Sequence, residues 1–413
     1  MRYKALLMGL AIAHLLPSGA IAAPVVWTEE VAVASFLSQS PRLEVIRKRL
    51  AVAQSETVGV GIWENPALSL DREQVMTSGT AADQSRFGVE WALPLTGKHG
   101  FRKAIAQAGL TAVEAQLDQE TFMQVLEFRQ AFARASYSDA QAEVLRESLG
   151  VFQRVERIVS TRTRTGESAG YDLMRLNVAK MTLEARLIHA QATAREERAR
   201  LSGLMGKSVE GALRVADPLV LPPSSDVLVD RAAERKDLTS LRAWQEQARL
   251  SERLARRQAW SDPSFSLGIV QASEPTVQGA GYLVGLSLPL PVFSRGQGEL
   301  ARAEAEANRL SVEETALRQR LSTEIPPVRE ALASRIAATR SFQREVLSRL
   351  PELLRTAEVS YQEGEASIVS LLDAHQTAVE TRLQSLSLLA DTQNAILSLE
   401  RLVGTPSNTL KRN

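Results

Sequence analysis

Cysteine is absent from the 413-residue chain. That removes disulfides, thiolate metal sites and a lipid-bearing N-terminal cysteine together. Histidine is nearly as scarce: beyond the first 22 residues it occurs only as His99, His189 and His375, far apart in sequence. Neither charge sign dominates, with 49 Lys and Arg against 48 Asp and Glu, so nothing suggests a nucleic-acid surface. After the N-terminus no stretch reaches the ~18 uninterrupted apolar residues of a membrane helix. HExxH, P-loop, nucleophile-elbow and CxxC patterns are all missing. Gly296-Gln297-Gly298 lacks the third glycine of a dinucleotide loop. No catalytic residue, cofactor or metal site is assigned, and an enzyme is not expected.

What the chain does contain is a leader and many helix formers. Arg2 and Lys4 precede an apolar run from Ala5 to Leu16, and Ala20-Ile21-Ala22 supplies a signal-peptidase site. Residues 1–22 therefore read as a signal peptide, and the mature chain is all but neutral. With 44% hydrophobic residues it is too apolar for disorder. Leu, Ala, Arg, Glu and Gln dominate, which favours long helices.

A tandem repeat organises the rest. Trp63 recurs as Trp260, and Asn65-Pro66-Ala67-Leu68-Ser69-Leu70 as Asp262-Pro263-Ser264-Phe265-Ser266-Leu267, both 197 residues on. Leu93-Pro94-Leu95 recurs as Leu288-Pro289-Leu290 at 195, and Gly166-Glu167 as Gly364-Glu365 at 198. Leu201 to Gly206 likewise returns as Leu399 to Gly404. Five landmarks in one order define a duplicated unit: 23–206, a connector at 207–228, 229–405, and a tail at 406–413.

Each unit reads helix, two strands, helix, helix. Ser40 as N-cap and Pro41 in the first turn predict a helix to about Glu56, with a counterpart after Asp237. Phe87, Val89, Trp91 and Leu93 alternate with Arg86, Gly88, Glu90 and Ala92, and Phe265, Leu267 and Ile269 alternate with small residues. Period two suits a strand in a lipid-facing, water-lined barrel, and equally one in a soluble sandwich. Phe101 to about Thr161 lacks proline and would reach roughly 90 Å as a helix. Val346, Leu350, Leu353 and Ala357, then Ile368, Leu372, His375, Val379, Leu383 and Leu386, keep coiled-coil spacing. Each long helix turns back at Gly166 or Gly364 to form an antiparallel hairpin.

Four strands cannot close a membrane barrel, where every backbone group must be paired. They must be shared between copies under cyclic symmetry, and a dimer, trimer or tetramer would each close. The fold class is thus mainly α with a small β part: a tandem duplication with long helical hairpins and four strands per protomer.

Beyond this, the chain resembles the TolC-type outer-membrane factor family, most closely its CzcC-like heavy-metal-efflux branch. The duplication carries the resemblance together with two strand exits, Leu93-Pro94-Leu95-Thr96-Gly97-Lys98 and Leu286 to Glu299. The tips Arg164 to Ala169 and Ser360 to Ser367 complete it. It covers about residues 27–405. It implies a homotrimer with a twelve-stranded barrel in outer-membrane lipid above a periplasmic α-helical barrel. The implied partners are a periplasmic adaptor (membrane fusion protein) and a proton-driven inner-membrane pump of the RND type. Substrate would pass without chemistry. The resemblance assigns Gly166, Glu167, Ser168, Gly364, Glu365, Ala366 and Ser367 to adaptor docking. The family commonly has two acids at the second tip. Here Ser370 and Asp373 stand there, so one carboxylate is missing. Asp373, with Asp172 from the first tip, is the expected pore constriction.

Pro326-Pro327 falls inside the second long helix, where a bend or break near Glu324 is expected. Lys98, His99, Arg102 and Lys103 form a basic cluster suited to a membrane edge or a solvated helix start. The other function classes weighed are a periplasmic adaptor, which inserts one hairpin into a β-sandwich, and an exported coiled-coil scaffold.

Overall fold

The computed structural model describes residues 26–60, 62–77, 80–164, 170–206, 214–215, 234–273 and 278–405. The signal-peptide segment, the tail, most of the connector, and Gly166, Glu167 and Ser168 lie outside the described residues.

The first unit runs β1 (Val26–Trp27), α1 (Glu29–Gln39), α2 (Pro41–Gly59), β2 (Ala67–Thr77), β3 (Thr80–Ala92), α3 (Lys98–Arg164) and α4 (Gly170–Met205). After β4 (Arg214–Val215) the second runs α5 (Lys236–Gln258), β5 (Ser264–Ser273), β6 (Gln278–Ser287), α6 (Gln297–Glu345), α7 (Leu350–Gln362) and α8 (Ile368–Val403). Two elements escape the sequence reading. One is α1, started by Thr28, whose hydroxyl accepts from Val31 N at 3.4 Å. The other is the two-residue parallel pairing of β1 with β4.

At its 67 residues, α3 is about 100 Å long, far more than one globular core can cover. Its flank is covered piecewise instead. Near the strands, Phe36 of α1 stacks on Phe128 of α3 at 4.5 Å between rings, within a cluster that includes Leu43, Phe132 and Leu201. Toward the tips, Phe152, Val155 and Val159 of α3 bury against Leu183 and Leu187 of α4 and Leu372 and Val379 of α8. The two hairpins, α3 with α4 and α7 with α8, therefore lie side by side through an α3–α8 contact.

The repeat is visible in how each unit closes. Gly206 (φ 69) ends α4 and Gly404 (φ 77) ends α8, left-handed positions where glycine is favoured. A Cβ on Gly206 would lie 2.5 Å from the Pro41 ring. Beside these ends, the Ser40 hydroxyl donates to Leu204 O at 3.3 Å, and the Arg235 guanidinium donates to the carbonyls of Arg401 and Leu402. Ser40 thus makes no side-chain cap to α2; its hydroxyl serves the neighbouring helix C-terminus. α2 itself continues to Gly59, three residues past the expected end.

The second rod corrects another expectation. α6 continues through Pro326 and Pro327 without a break. Both prolines and the adjoining Ser322 and Thr323 are exposed. The two carbonyls that lose their helical donors can turn to solvent, and the buried face at Leu321 and Leu332 is undisturbed. The interruption comes later: a 3-10 turn at Leu347–Arg349, followed by Pro351 in the first turn of α7. Of the apolar seam read there, Leu350 is buried, whereas Val346 and Leu353 are exposed.

Candidate functional site

The main sheet has order β2-β3-β5-β6, antiparallel throughout. Its register puts Leu68, Val89, Leu267 and Val284 in one row across the sheet, and Leu70, Phe87, Ile269 and Tyr282 in the next. Trp91, Phe265 and Leu286 form a third row on the same face. Apart from Trp91, all of these side chains are exposed. The opposite face carries Ser69, Gly88, Gly268 and Leu283, then Asp71, Arg86, Val270 and Gly281, then Glu90, Ser266 and Gly285, and is mainly small or polar. From Phe87 to Trp91 these three rows cover about 14 Å of strand.

A hydrocarbon wall on one side and a polar, glycine-rich wall on the other has no use for a protein core. Glycine also lets the polar face pack closely: a Cβ on Gly268 would lie 2.6 Å from Phe87 O. The outer edges of β2 and β6 carry no strand among the described residues. Where the strands leave the sheet, Asp262 fastens the first exit. It accepts from Thr96 N at 3.0 Å and from the Thr96 hydroxyl at 2.6 Å, and lies 3.5 Å from Lys98 Nζ. The repeated Asn65/Asp262 position carried that signal in the sequence. It also gives Lys98, at the head of the basic cluster, a partner within the chain.

At the other end of the rods, the second hairpin tip is compact. Gly364 takes φ 82, and Glu365 N and Ala366 N both donate to Ser360 O, at 2.9 and 3.0 Å. Ser367 caps α8, accepting from Ser370 N at 3.3 Å. The Ser370 hydroxyl lies 3.2 Å from the Ser367 hydroxyl. Gly364, Glu365 and Ser367 are exposed and Ala366 is half-buried, so the tip offers its backbone and small side chains outward.

Asp373 is exposed on α8 between buried Leu372 and Ala374. It lies past the first turn, which holds no acid, so the helix dipole does not account for it. Asp172 is half-buried in the first turn of α4, where the dipole alone favours a carboxylate.

His375, two residues from Asp373, points elsewhere. It is buried, with Phe152 of α3 at 6.0 Å between rings and Glu358 of α7 at 3.5 Å from Nε2. Desolvation lowers its pKa below the usual value; Glu358 raises it and Arg154 lowers it further. A histidine held neutral by folding takes up its proton more readily unfolded. The stability it contributes is therefore complete above about pH 6.5 and is lost as pH falls toward the depressed value. Thermal unfolding in detergent is expected to show lower melting points below pH 6, and His375→Gln to flatten that slope. An unchanged slope would remove His375 as its source.

No family model matches the chain. It is similar to the cobalt-zinc-cadmium resistance protein CzcC of Cupriavidus metallidurans, with 23% identity covering 98% of this chain and 100% of that protein. Its fold matches crystal structures of CusC, which describe folding and transmembrane channel formation, with a TM-score of 0.71 at 18% identity, covering 96% of this chain and 99% of that one. The outer membrane protein VceC of Vibrio cholerae superposes with a TM-score of 0.69 at 18% identity, over 92% of this chain and 96% of that one.

Proposed function

We propose that this chain, a TolC-type outer-membrane factor by sequence and by fold, is the exit duct of a tripartite efflux system that expels heavy-metal cations. It resides in the outer membrane, with its helical rods in the periplasm, and it is a channel rather than an enzyme. One observation carries the reading: a four-stranded sheet, apolar and exposed on one face and mainly small or polar on the other, with no strand at either edge among the described residues, set on rods about 100 Å long. Three copies would supply the twelve strands of a sealed barrel.

Passage needs no covalent step. The tips, Gly364, Glu365, Ala366 and Ser367 with Gly166, Glu167 and Ser168, would meet a periplasmic adaptor coupled to an inner-membrane pump. Contacts that favour splayed tips would shift the closed duct toward an open state. Asp373 from each copy would ring the narrowed entrance and concentrate cations there, with Asp172 as a second, weaker contributor. The metal class rests on similarity to the cobalt-zinc-cadmium resistance protein.

Deleting the chain is expected to sensitise its host to cobalt, zinc or cadmium salts and to leave tolerance of organic toxins unchanged. Equal sensitivity to organic toxins would overturn the metal assignment. In planar bilayers, Asp373→Asn is expected to weaken block by multivalent cations several-fold. Unchanged block would take Asp373 off the constriction.

A further inference from the structure

The apolar rows of the sheet are too short for a bilayer. They cover about 14 Å of strand, and the next row away from the rods, Arg72, Ser85, Gln271 and Ala280, is mostly polar. A membrane barrel presents an apolar band about 25 Å tall. About 10 Å must come from the other side, where the strands run out toward the rods.

The strand exits have the surface for it. Leu288, Leu290, Val292 and Phe293 are all exposed, Phe293 at 90%. Trp260 is 71% exposed. Its repeat counterpart Trp63 packs 5.7 Å from Trp91, in the apolar row nearest the rods, so the outward apolar face continues past the strand ends. The backbone of the exits suits a place without water, where each polar group needs a partner. In the first exit Leu93 N donates to Pro263 O at 2.9 Å, and Leu95 N to Leu93 O at 2.8 Å. Thr96 N donates to Asp262 at 3.0 Å, and Pro94 has no N–H. In the second, Pro289 and Pro291 each drop a donor, and Val292 N donates to Leu290 O at 2.9 Å.

Cations follow directly behind. Arg295 lies beside the end of α5, since a Cβ on Gly296 would stand 2.7 Å from Ala255 O. That end carries Arg257, whose carbonyl accepts from Trp260 N at 3.0 Å. In the first unit Arg102 and Lys103 come early in α3, whose first turn holds no acid. All four are exposed and make no ion pair among the described residues. Of the acids around them, Asp262 is taken by Lys98 and Glu252 by Arg256. Glu299 stands in the first turn of α6, where the dipole favours it. The dipole also suits Arg257 at a helix end, but it gives no reason for Arg295, Arg102 or Lys103 near helix starts.

We propose that the exits form a collar that binds anionic phospholipids of the periplasmic leaflet. Phe293, Trp260 and the exposed leucines lie among the acyl chains, and the four cations meet the phosphates. The occupant is a lipid because the collar is continuous with the lipid face of the sheet. Its cations lie along the rim of that face, where the phosphates of a bilayer fall. This rests on the duct reading and adds a headgroup preference to it.

The full chain in detergent, offered equal amounts of phosphatidylglycerol and phosphatidylcholine, tests this by native mass spectrometry of the lipid it retains. The unaltered chain is expected to keep phosphatidylglycerol about tenfold over phosphatidylcholine. Arg257→Gln with Arg295→Gln is expected to bring that ratio near one, and Arg257→Lys with Arg295→Lys to preserve most of it. Phe293→Ser is expected to lower retention of both lipids and leave their ratio unchanged. A ratio near one in the unaltered chain, or one unmoved by the glutamine pair, would overturn the headgroup site and leave the duct standing. The same loss from Arg175→Gln, exposed on α4 away from the exits, would mean that net charge selects and the collar does not. Displacement of phosphatidylglycerol by an equal concentration of inorganic phosphate would overturn the lipid as occupant. A chain that retains neither lipid and forms no conducting pore in vesicles would sink both readings.

Discussion

Replacing Arg129 with leucine is expected to cost about 3–5 kcal/mol of stability, the usual consequence of breaking a buried ion pair by removing one member. Arg129 sits in α3 with almost no exposed surface. It reaches Glu29 at the start of α1 at 2.5 Å and makes a charged hydrogen bond to Glu400 of α8. Glu400 is wholly buried. Without the guanidinium its carboxylate loses that charged hydrogen bond while wholly buried, where either keeping its charge or taking up a proton is costly. Glu29 is partly exposed and keeps access to water. The double variant Arg129→Leu, Glu400→Leu removes the buried carboxylate as well and is expected to recover more than half of the loss. Melting of the detergent-solubilised protein checks both. A double variant no more stable than Arg129→Leu would mean that the ion pair is not what holds α1, α3 and α8 together.

The second large effect separates the two faces of the sheet. Leu267→Lys puts an ammonium in the middle of the apolar rows, where a charge facing lipid costs about 2–4 kcal/mol per site. That penalty recurs in every copy of a ring, so outer-membrane recovery is expected to fall at least tenfold. Gly281→Lys adds the same charge to β6 on the opposite face, in the row of Asp71 and Arg86. A Cβ there meets nothing within 4 Å. This variant is expected to reach the membrane normally and to conduct cations less well. Equal recovery of the two variants, by fractionation and blotting, would mean that the apolar face does not meet lipid.

The strand pairs and hairpins were legible because each follows from a short-range rule. Alternation gave Phe87, Val89 and Trp91 one face, and helical spacing with glycine stops placed the second reversal at Gly364. The interruption of the second rod was misplaced for an equally physical reason. Proline propensity counts the lost hydrogen bond but not its surroundings, and the exposed flank at Pro326 tolerates it while Leu347–Arg349 does not continue the helix. Arg129, Glu29 and Glu400 could not be paired from sequence: they lie in three helices, and the repeat offers Pro326 and Ser202 at the matching positions. α1 was missed because Gln39 and Ser40-Pro41 leave no gap between it and α2. Asp172 and Asp373 were chosen together, yet only Asp172 lies in a first helical turn, a distinction that needs the helix starts.

The middle seam of the sheet governs how the chain must be made. β3 finds β5 only across a long excursion: Ser264 and Glu90, joined at 2.6 Å, are 174 residues apart. During export the β2–β3 hairpin emerges first and waits, greasy on one side and unpaired along an edge, while the first hairpin of rods is delivered behind it. Such an edge invites aggregation. A chain cut before residue 264 would leave that edge of β3 without its partner strand.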